Sequence, residues 1–377
     1  MIYLDHAATT ACAAEVVDAM LPYFREHFAN GSSTDHLPGV TARRAIDEAR
    51  DAVALMVGAR AEDVIFTSGS TEANNLVMSV ACAVLTTQVE HPSVLDSFGA
   101  RNLEVDSFVP VDEHGIVKIE LLEAQLARID GCSLVSIIAT NNETGAEQDI
   151  ESLQALATKR GALLHLDATQ AVGTRQFSAR RDGLAALSIS AHKIHGPKGV
   201  GALVAMPAMR AKLKPVFRGG GHERGFRPGT LNVPGIVGFG VAARIIRANW
   251  SQRRQTLTAL RQHFIKTLQR SCGDALYETV PCALASPHIL SIRLRKTNAR
   301  ALLGAVREGV AFSLGSACAT NKAEPSHVLV ALGLDKRSVA ETFRISFSPD
   351  QTMEEVGAAA MLLANAAQAL SGYSVPA

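Results

Sequence analysis

The sequence predicts an α/β protein, with a mostly parallel sheet in a large domain and a smaller α/β domain at the C-terminal end. Three observations carry this expectation. Short apolar, strand-like runs alternate with helical stretches. Polar residues cluster just after several of those runs. A long polar-rich stretch over 244–270 reads as a helix that carries the chain from the larger unit to the smaller. The expected boundaries are 15–250 for the large domain, and 1–14 with 251–377 for the small one.

Residues 40–57 place Ile46, Ala49, Val53, Met56 and Val57 at amphipathic spacing, so a helix is expected there. Val64–Phe66 reads as a short strand and Thr71–Ala83 as the helix after it. Ala83–Thr87, Leu134–Ala139, Ala162–Leu166, Leu187–Ile189 and Val200–Ala205 read as further strands. In open sheets of this kind, ligands bind outside the carboxyl ends of the strands. Asn141 and Asn142 follow one run, Asp167 and Gln170 another, and Ser190, His192 and Lys193 a third. These groups are therefore expected to converge although they are far apart in sequence.

Hydrophobic residues make up 47% and charged residues 19% of the 377, which suits a globular enzyme that needs no metal or disulfide to hold its core. With 37 basic and 36 acidic side chains the net charge is +1, so direct nucleic-acid binding is not expected. The pairs Arg43–Arg44 and Arg253–Arg254 read as solvated helix faces. The N-terminal residues carry no leader pattern, and no apolar run is long enough to span a bilayer, so a cytoplasmic location is expected. Cysteines 12, 82, 132, 272, 282 and 318 show neither C-x-x-C nor zinc spacing. In a reducing compartment most of them are expected to be buried small apolar residues.

Four segments carry chemistry. Thr67-Ser68-Gly69-Ser70-Thr71-Glu72 stands where a strand meets a helix; free N–H groups and hydroxyls there suit an anion, and the same residues suit a helix cap. Lys193 follows a buried strand in Ser190-Ala191-His192-Lys193, where desolvation or a nearby cation frees its amine for Schiff-base chemistry; the alternative is a surface lysine before a Gly-Pro turn. Asp167 ends a strand, where burial calls for a cationic partner such as a protonated ring nitrogen, unless it caps the next helix. His91, in Glu90-His91-Pro92, is placed to stack on an aromatic ring and shuttle protons, or is structural.

Taken together, Tyr3–Thr10, Thr67–Glu72, Glu90–Pro92, Asn141–Gly145, Asp167–Gln170, His192–Gly199, Gly219–Gly225, Arg227–Thr230 and Gly315–Cys318 resemble the group I cysteine desulfurases of the nitrogenase and iron–sulfur-assembly type, within the class V aminotransferases. The resemblance implies the fold-type I aminotransferase architecture, a homodimer, and pyridoxal 5'-phosphate carried on Lys193. It implies that Asp167 meets the ring nitrogen, that Gln170 and Asn142 meet the ring-oxygen region, and that His91 stacks on the ring and is the leading candidate for proton transfer. Ser70, Thr71, Ser190 and His192 are then expected to hold the phosphate, with Thr230 supplied by the partner subunit. Arg344 is expected to clamp the substrate carboxylate, with Asn30 and Asn142 beside it; a guanidinium fork matches a carboxylate.

Cys318 sits among small, flexible residues in Leu314-Gly315-Ser316-Ala317-Cys318, as a thiol that moves between two stations requires. The resemblance makes it the nucleophile that takes sulfur from L-cysteine, leaving alanine and a persulfide for an acceptor protein in iron–sulfur assembly, tRNA thiolation or DNA phosphorothioation. The other readings are a selenocysteine lyase, a class V aminotransferase that needs no Cys318, or a partner-dependent sulfur-relay subunit. Gly31 stands where the family usually has Pro, and the stretch between Asn75 and His91 is shorter than usual. The chain ends soon after its last helical stretch, so docking through an extended C-terminal tail is not expected.

Overall fold

The computed structural model describes residues 1–101, 107–180, 184–315 and 325–371. Twelve strands in the described residues run in chain order: β1 (Ile2–Tyr3), β2 (Val64–Thr67), β3 (Ala83–Thr87), β4 (Ser107–Val109), β5 (Ser133–Ile138), β6 (Leu163–Asp167), β7 (Leu184–Ser190), β8 (Gly201–Ala205), β9 (Leu276–Glu278), β10 (Ile289–Leu294), β11 (Val310–Ala311) and β12 (Thr342–Ser346). Seven form the main sheet, in the order β2-β8-β7-β6-β5-β3-β4. From β7 to β4 the pairings are parallel; β8 runs antiparallel to both of its neighbours. The carboxyl ends of β2, β3, β5, β6 and β7 therefore share one edge, as the polar clusters require. The central strands are buried on both faces, which is why they read as continuous apolar runs.

Helices cover the sheet. The long ones used below are α1 (Leu37–Met56), α2 (Ser70–Met78), α3 (Pro92–Gly99), α4 (Ile150–Arg160), α5 (Val233–Cys272) and α6 (Met353–Ser371). α2 stops at Met78, short of the expected Ala83, because Ser79 turns its hydroxyl back to the Leu76 carbonyl and residues 79–82 lead into β3. α5 begins eleven residues before the expected 244. Asn232 caps it by accepting the Gly235 N–H, and Pro234 occupies its first turn. α1 and α5 cross closely at Gly240, where a Cβ would lie 2.7 Å from the Ala49 Cα, so glycine sets that approach.

One hydrophobic cluster runs from Val16 to Ile246 around the main sheet. Another joins Leu4 to residues between Leu257 and Ala367, around the antiparallel sheet β12-β10-β9 and helix α6. The N-terminal strand crosses to this second cluster, where β1 pairs with β11.

Two expectations are corrected. Cys82 and Cys132 are not separate apolar side chains but a disulfide, because β3 and β5 are neighbours in a register that pairs Ala83 with Ser133 and so sets the two preceding residues side by side. Arg253–Arg254 is not a solvated face. Arg253 donates to the Gly173 carbonyl, and Arg254 donates to Glu147 and to the Thr174 carbonyl, fastening α5 to the loops after β5 and β6. Arg43 and Arg44 do lie exposed, facing Asp47 and Glu48 one turn on. Among the described residues, no helix is long and apolar enough to cross a membrane.

Candidate active site

A cavity of about 250 Å³ opens at the carboxyl edge of the main sheet. Ser70 and Thr71 line it from the start of α2, His91 from the start of α3, Asn142 and Glu143 from the loop after β5, Asp167, Thr169 and Gln170 from the end of β6, and His192 and Lys193 from the turn after β7. Arg344 reaches it from β12, and Ala7 and Ala8 close it from the N-terminal segment.

One end of the cavity is an anion cradle. The residue before α2 is Gly69, and no side chain caps the helix. Glu72 bends back to accept the Ser68 N–H, outside the helix, which leaves the first-turn N–H groups of Ser70 and Thr71 toward the cavity. Buried Ser190 lies beside this turn: a Cβ on Gly69 would sit 3.8 Å from its Oγ. His192 places Nδ1 3.1 Å from Thr9 Oγ1, and burial, reinforced by Lys193 and Lys198, lowers its pKa to about 4, so its ring is neutral at physiological pH.

Asp167 lies deeper and is 3% exposed. Its Oδ1 accepts the Thr169 N–H at 3.0 Å and its Oδ2 accepts Asn74 Nδ2 at 2.8 Å. No ion pair to Asp167 is seen among the described residues, and the buried Thr169 hydroxyl beside it has no hydrogen-bond partner. Gln170 donates from Nε2 to the Ala7 carbonyl, and its Oε1 lies 3.2 Å from His288 Nε2. An amide oxygen accepts only, so His288 carries its proton on Nε2, and Gln170 keeps its remaining N–H free to donate. Lys193 Nζ donates to the Ala7 and Ala8 carbonyls at 2.5 and 2.7 Å.

These groups fit pyridoxal phosphate: a helix N-terminus for the phosphate, a buried carboxylate for a protonated ring nitrogen, a flat imidazole at one side, and an amine within the same cavity.

Arg344 is 3% exposed; Nη2 donates to Asp5 Oδ1 and Nη1 to the Asn142 carbonyl, both at 2.6 Å, while Nε is buried without a partner. Cys318 lies outside the described residues. The residues that flank its segment both meet Glu143. Ser326 donates to Glu143 Oε2 at 2.5 Å, and a Cβ on Gly315 would lie 3.0 Å from the same oxygen. Two expected residues are not brought to the cavity by the single chain. Asn30 uses Oδ1 to accept the Ser32 N–H in the turn before α1, beside a separate hollow of about 550 Å³ lined by Arg43, Arg50 and His222. Thr230 is exposed on the loop before α5.

The sequence reading gave no role to Glu90, Asn74 or Glu143. Glu90 is fully buried; burial raises its pKa to about 8, the Thr87 hydroxyl opposes the rise, and the charge of Asp167 adds to it. The signal available was its place between the apolar strand β3 and His91.

The aminotransferase class-V family model matches residues 2–358. The chain belongs to that family. Within it, the chain is 39% identical over 366 residues to the cysteine desulfurase IscS of Anaeromyxobacter sp. (strain Fw109-5), covering 94% of this chain and 89% of the relative. Among solved structures it is similar to a NifS-like protein, with a TM-score of 0.88 at 32% identity over 99% of this chain and all of the other. It is also similar to SspA, solved in complex with cysteine, with a TM-score of 0.81 at 29% identity over 93% of this chain and all of the other. The likeness to a cysteine desulfurase joins the class-V fold to the cavity described above.

Proposed function

We propose that this class-V chain is a pyridoxal phosphate-dependent cysteine desulfurase that moves the sulfur of L-cysteine onto Cys318 and releases L-alanine. The observation that carries the reading is the convergence of Lys193, Asp167, His91 and the open N-terminus of α2 on one cavity, with Gly315 and Ser326, on either side of the Cys318 segment, both against its lining residue Glu143. Gly315 is three residues from Cys318, and an extended chain advances at most ~3.3–3.6 Å per residue. Three extended residues span at most roughly 11 Å, Cα to Cα, which bounds the tether that joins Cys318 to Gly315.

Bound in this cavity, the coenzyme supplies an electron sink for charge developing at the substrate α-carbon. The chain's residues do the rest. Ser70, Thr71, Ser190 and His192 would hold the phosphate, Asp167 would serve the ring nitrogen, and Gln170 and Asn142 the ring oxygen. Lys193 Nζ would carry the coenzyme and, once free of it, exchange a proton at the substrate α-carbon. Arg344, kept in place by Asp5, orients the substrate carboxylate, and His91, in the cavity wall at the start of α3, gives or takes a proton. Cys318, as thiolate, attacks the substrate sulfur: the carbon–sulfur bond breaks, a sulfur–sulfur bond forms, and alanine leaves after protonation. The reading includes a homodimer in which Thr230 of the partner subunit completes the phosphate site and Asn30 serves the substrate side. It also includes a large unit over 15–250 with a smaller one over 1–14 and 251–377, a cytoplasmic setting, and a sulfur-acceptor protein.

Two variants test it. Lys193→Ala is expected to lose the absorbance of lysine-bound coenzyme. Cys318→Ser is expected to keep that absorbance and to form no alanine from cysteine. Full alanine production by Cys318→Ser overturns the proposal.

A further inference from the structure

His91 is held by a chain of side chains that begins on the coenzyme-facing carboxylate. Asn74, fully buried on α2, donates one Nδ2–H to Asp167 Oδ2 at 2.8 Å and the other to Ser93 Oγ at 2.9 Å. Ser93 Oγ, accepting from Asn74, lies 2.8 Å from His91 Nδ1, and the Ser93 backbone N–H points at the same nitrogen at 3.1 Å. A backbone N–H only donates, so Nδ1 must present a lone pair, and the hydroxyl, already accepting from Asn74, turns its own proton the same way. Nδ1 is closed to protonation from this side, which leaves Nε2 to carry the ring proton.

We infer that Asn74 and Ser93 are positioning residues that fix His91 as its Nε2–H tautomer and tie that state to the carboxylate of Asp167. Asp167 and Ser93 draw on the two hydrogens of one amide nitrogen, so neither partner can reorient without releasing the other. The titratable groups around the ring are Asp167 from β6, Lys193 from the turn after β7, Asp96 from α3 and His327. The Ser93 N–H and hydroxyl both address Nδ1, so the tautomer is assigned to the Asn74–Ser93 pair. Asn74 Oδ1 is buried without a partner, which shows that the amide is oriented for its two donations at the expense of its oxygen.

What the Nε2 proton is used for rests on the desulfurase reading; where it sits does not. The test is ¹⁵N NMR of histidine-labelled full-length protein, loaded with coenzyme and stripped of it, with His91 assigned by its absence in His91→Gln. The wild-type ring is expected to show a protonated Nε2 and an unprotonated Nδ1 at neutral pH in both forms. Ser93→Ala and Asn74→Ala each remove about one hydrogen bond's worth of bias, so the ratio of the two tautomers is expected to move roughly two- to tenfold toward Nδ1–H. Ser93→Thr, which keeps the hydroxyl, is expected to restore it. A wild-type Nδ1–H form overturns the inference, even if neither alanine variant folds. So does a ratio unmoved by both substitutions. An Nε2–H ring in a protein that makes no alanine from cysteine counts against the desulfurase reading alone.

Discussion

Glu223 is the most consequential carboxylate outside the cavity. It sits in the turn His222–Gly225, at φ +48°, and its side chain is 2% exposed. Arg50 of α1 reaches it with two hydrogen bonds, Nη1 to Oε2 at 2.7 Å and Nη2 to Oε1 at 2.6 Å, and also donates to the Val64 carbonyl. Glu223 Oε2 accepts the Phe66 N–H as well, so the carboxylate pins the 219–230 loop to the outer strand β2. Glu223→Ala leaves a buried guanidinium uncompensated, which costs about 3–5 kcal/mol, and strands the Phe66 N–H. The two losses share one carboxylate and are not additive. Urea denaturation of the purified protein at fixed concentration is expected to show a loss in that range. Because the same loop carries Thr230, coenzyme affinity is expected to fall too. The double variant Arg50→Met/Glu223→Leu removes both charges and is expected to recover most of the stability, since replacing a buried pair by apolar groups is often close to neutral. A Glu223→Ala protein as stable as wild type, or a double variant worse than the single, refutes the reasoning.

Two further outcomes are expected. Gly201→Ala places a Cβ 2.7 Å from the Gly69 Cα and 2.5 Å from the Ile189 carbonyl oxygen, so the turn before α2 must shift; equilibrium dialysis is expected to show weaker coenzyme binding, and unchanged binding refutes the close-approach argument. Glu90 has a folded pKa of about 8 against 4.5 when unfolded, so the unfolded chain releases its proton first and stability falls as pH rises between those values. Glu90→Gln is expected to flatten that slope by up to ~1.4 kcal/mol per pH unit, read from denaturation at a series of pH values; an unaltered slope shows Glu90 ionised in the fold.

Much of this site was legible because its chemistry sits at strand ends, and strand ends are local features. The apolar runs of β5, β6 and β7 stop at or shortly before Asn142, Asp167 and Lys193, and one sheet edge then gathers them. What was not legible depends on which strands are neighbours. Cys82 and Cys132 are 50 residues apart and meet only because β5 sits next to β3. Asn74 points at Asp167 from a helix 93 residues away, and nothing in the local pattern of α2 separates it from an ordinary helix polar residue. Asn30 and Thr230 stay away from the cavity in the single chain, so their expected roles require a second copy.

The N-terminal segment is the element that closes the sheet-edge cavity. Leu4 is packed in the second hydrophobic cluster, Asp5 holds Arg344, and the Ala7 and Ala8 carbonyls hold Lys193, so this short segment ties the second cluster to the turn after β7 across the cavity. Arg344 has two N–H groups committed to Asp5 and Asn142, which leaves three of its five donors, the buried Nε–H among them. A substrate carboxylate accepting from that remainder takes charge-assisted bonds of about 1.5–3 kcal/mol, roughly ten- to a hundredfold in affinity. Arg344→Lys keeps the charge and loses the planar fork. It is therefore expected to raise the KM for L-cysteine by about that factor and to change kcat far less, because a carboxylate held alike in ground and transition states contributes to binding alone. If Arg344→Lys lowers kcat while KM stays put, the guanidinium acts on the reacting centre instead, and its assignment to the substrate carboxylate is wrong.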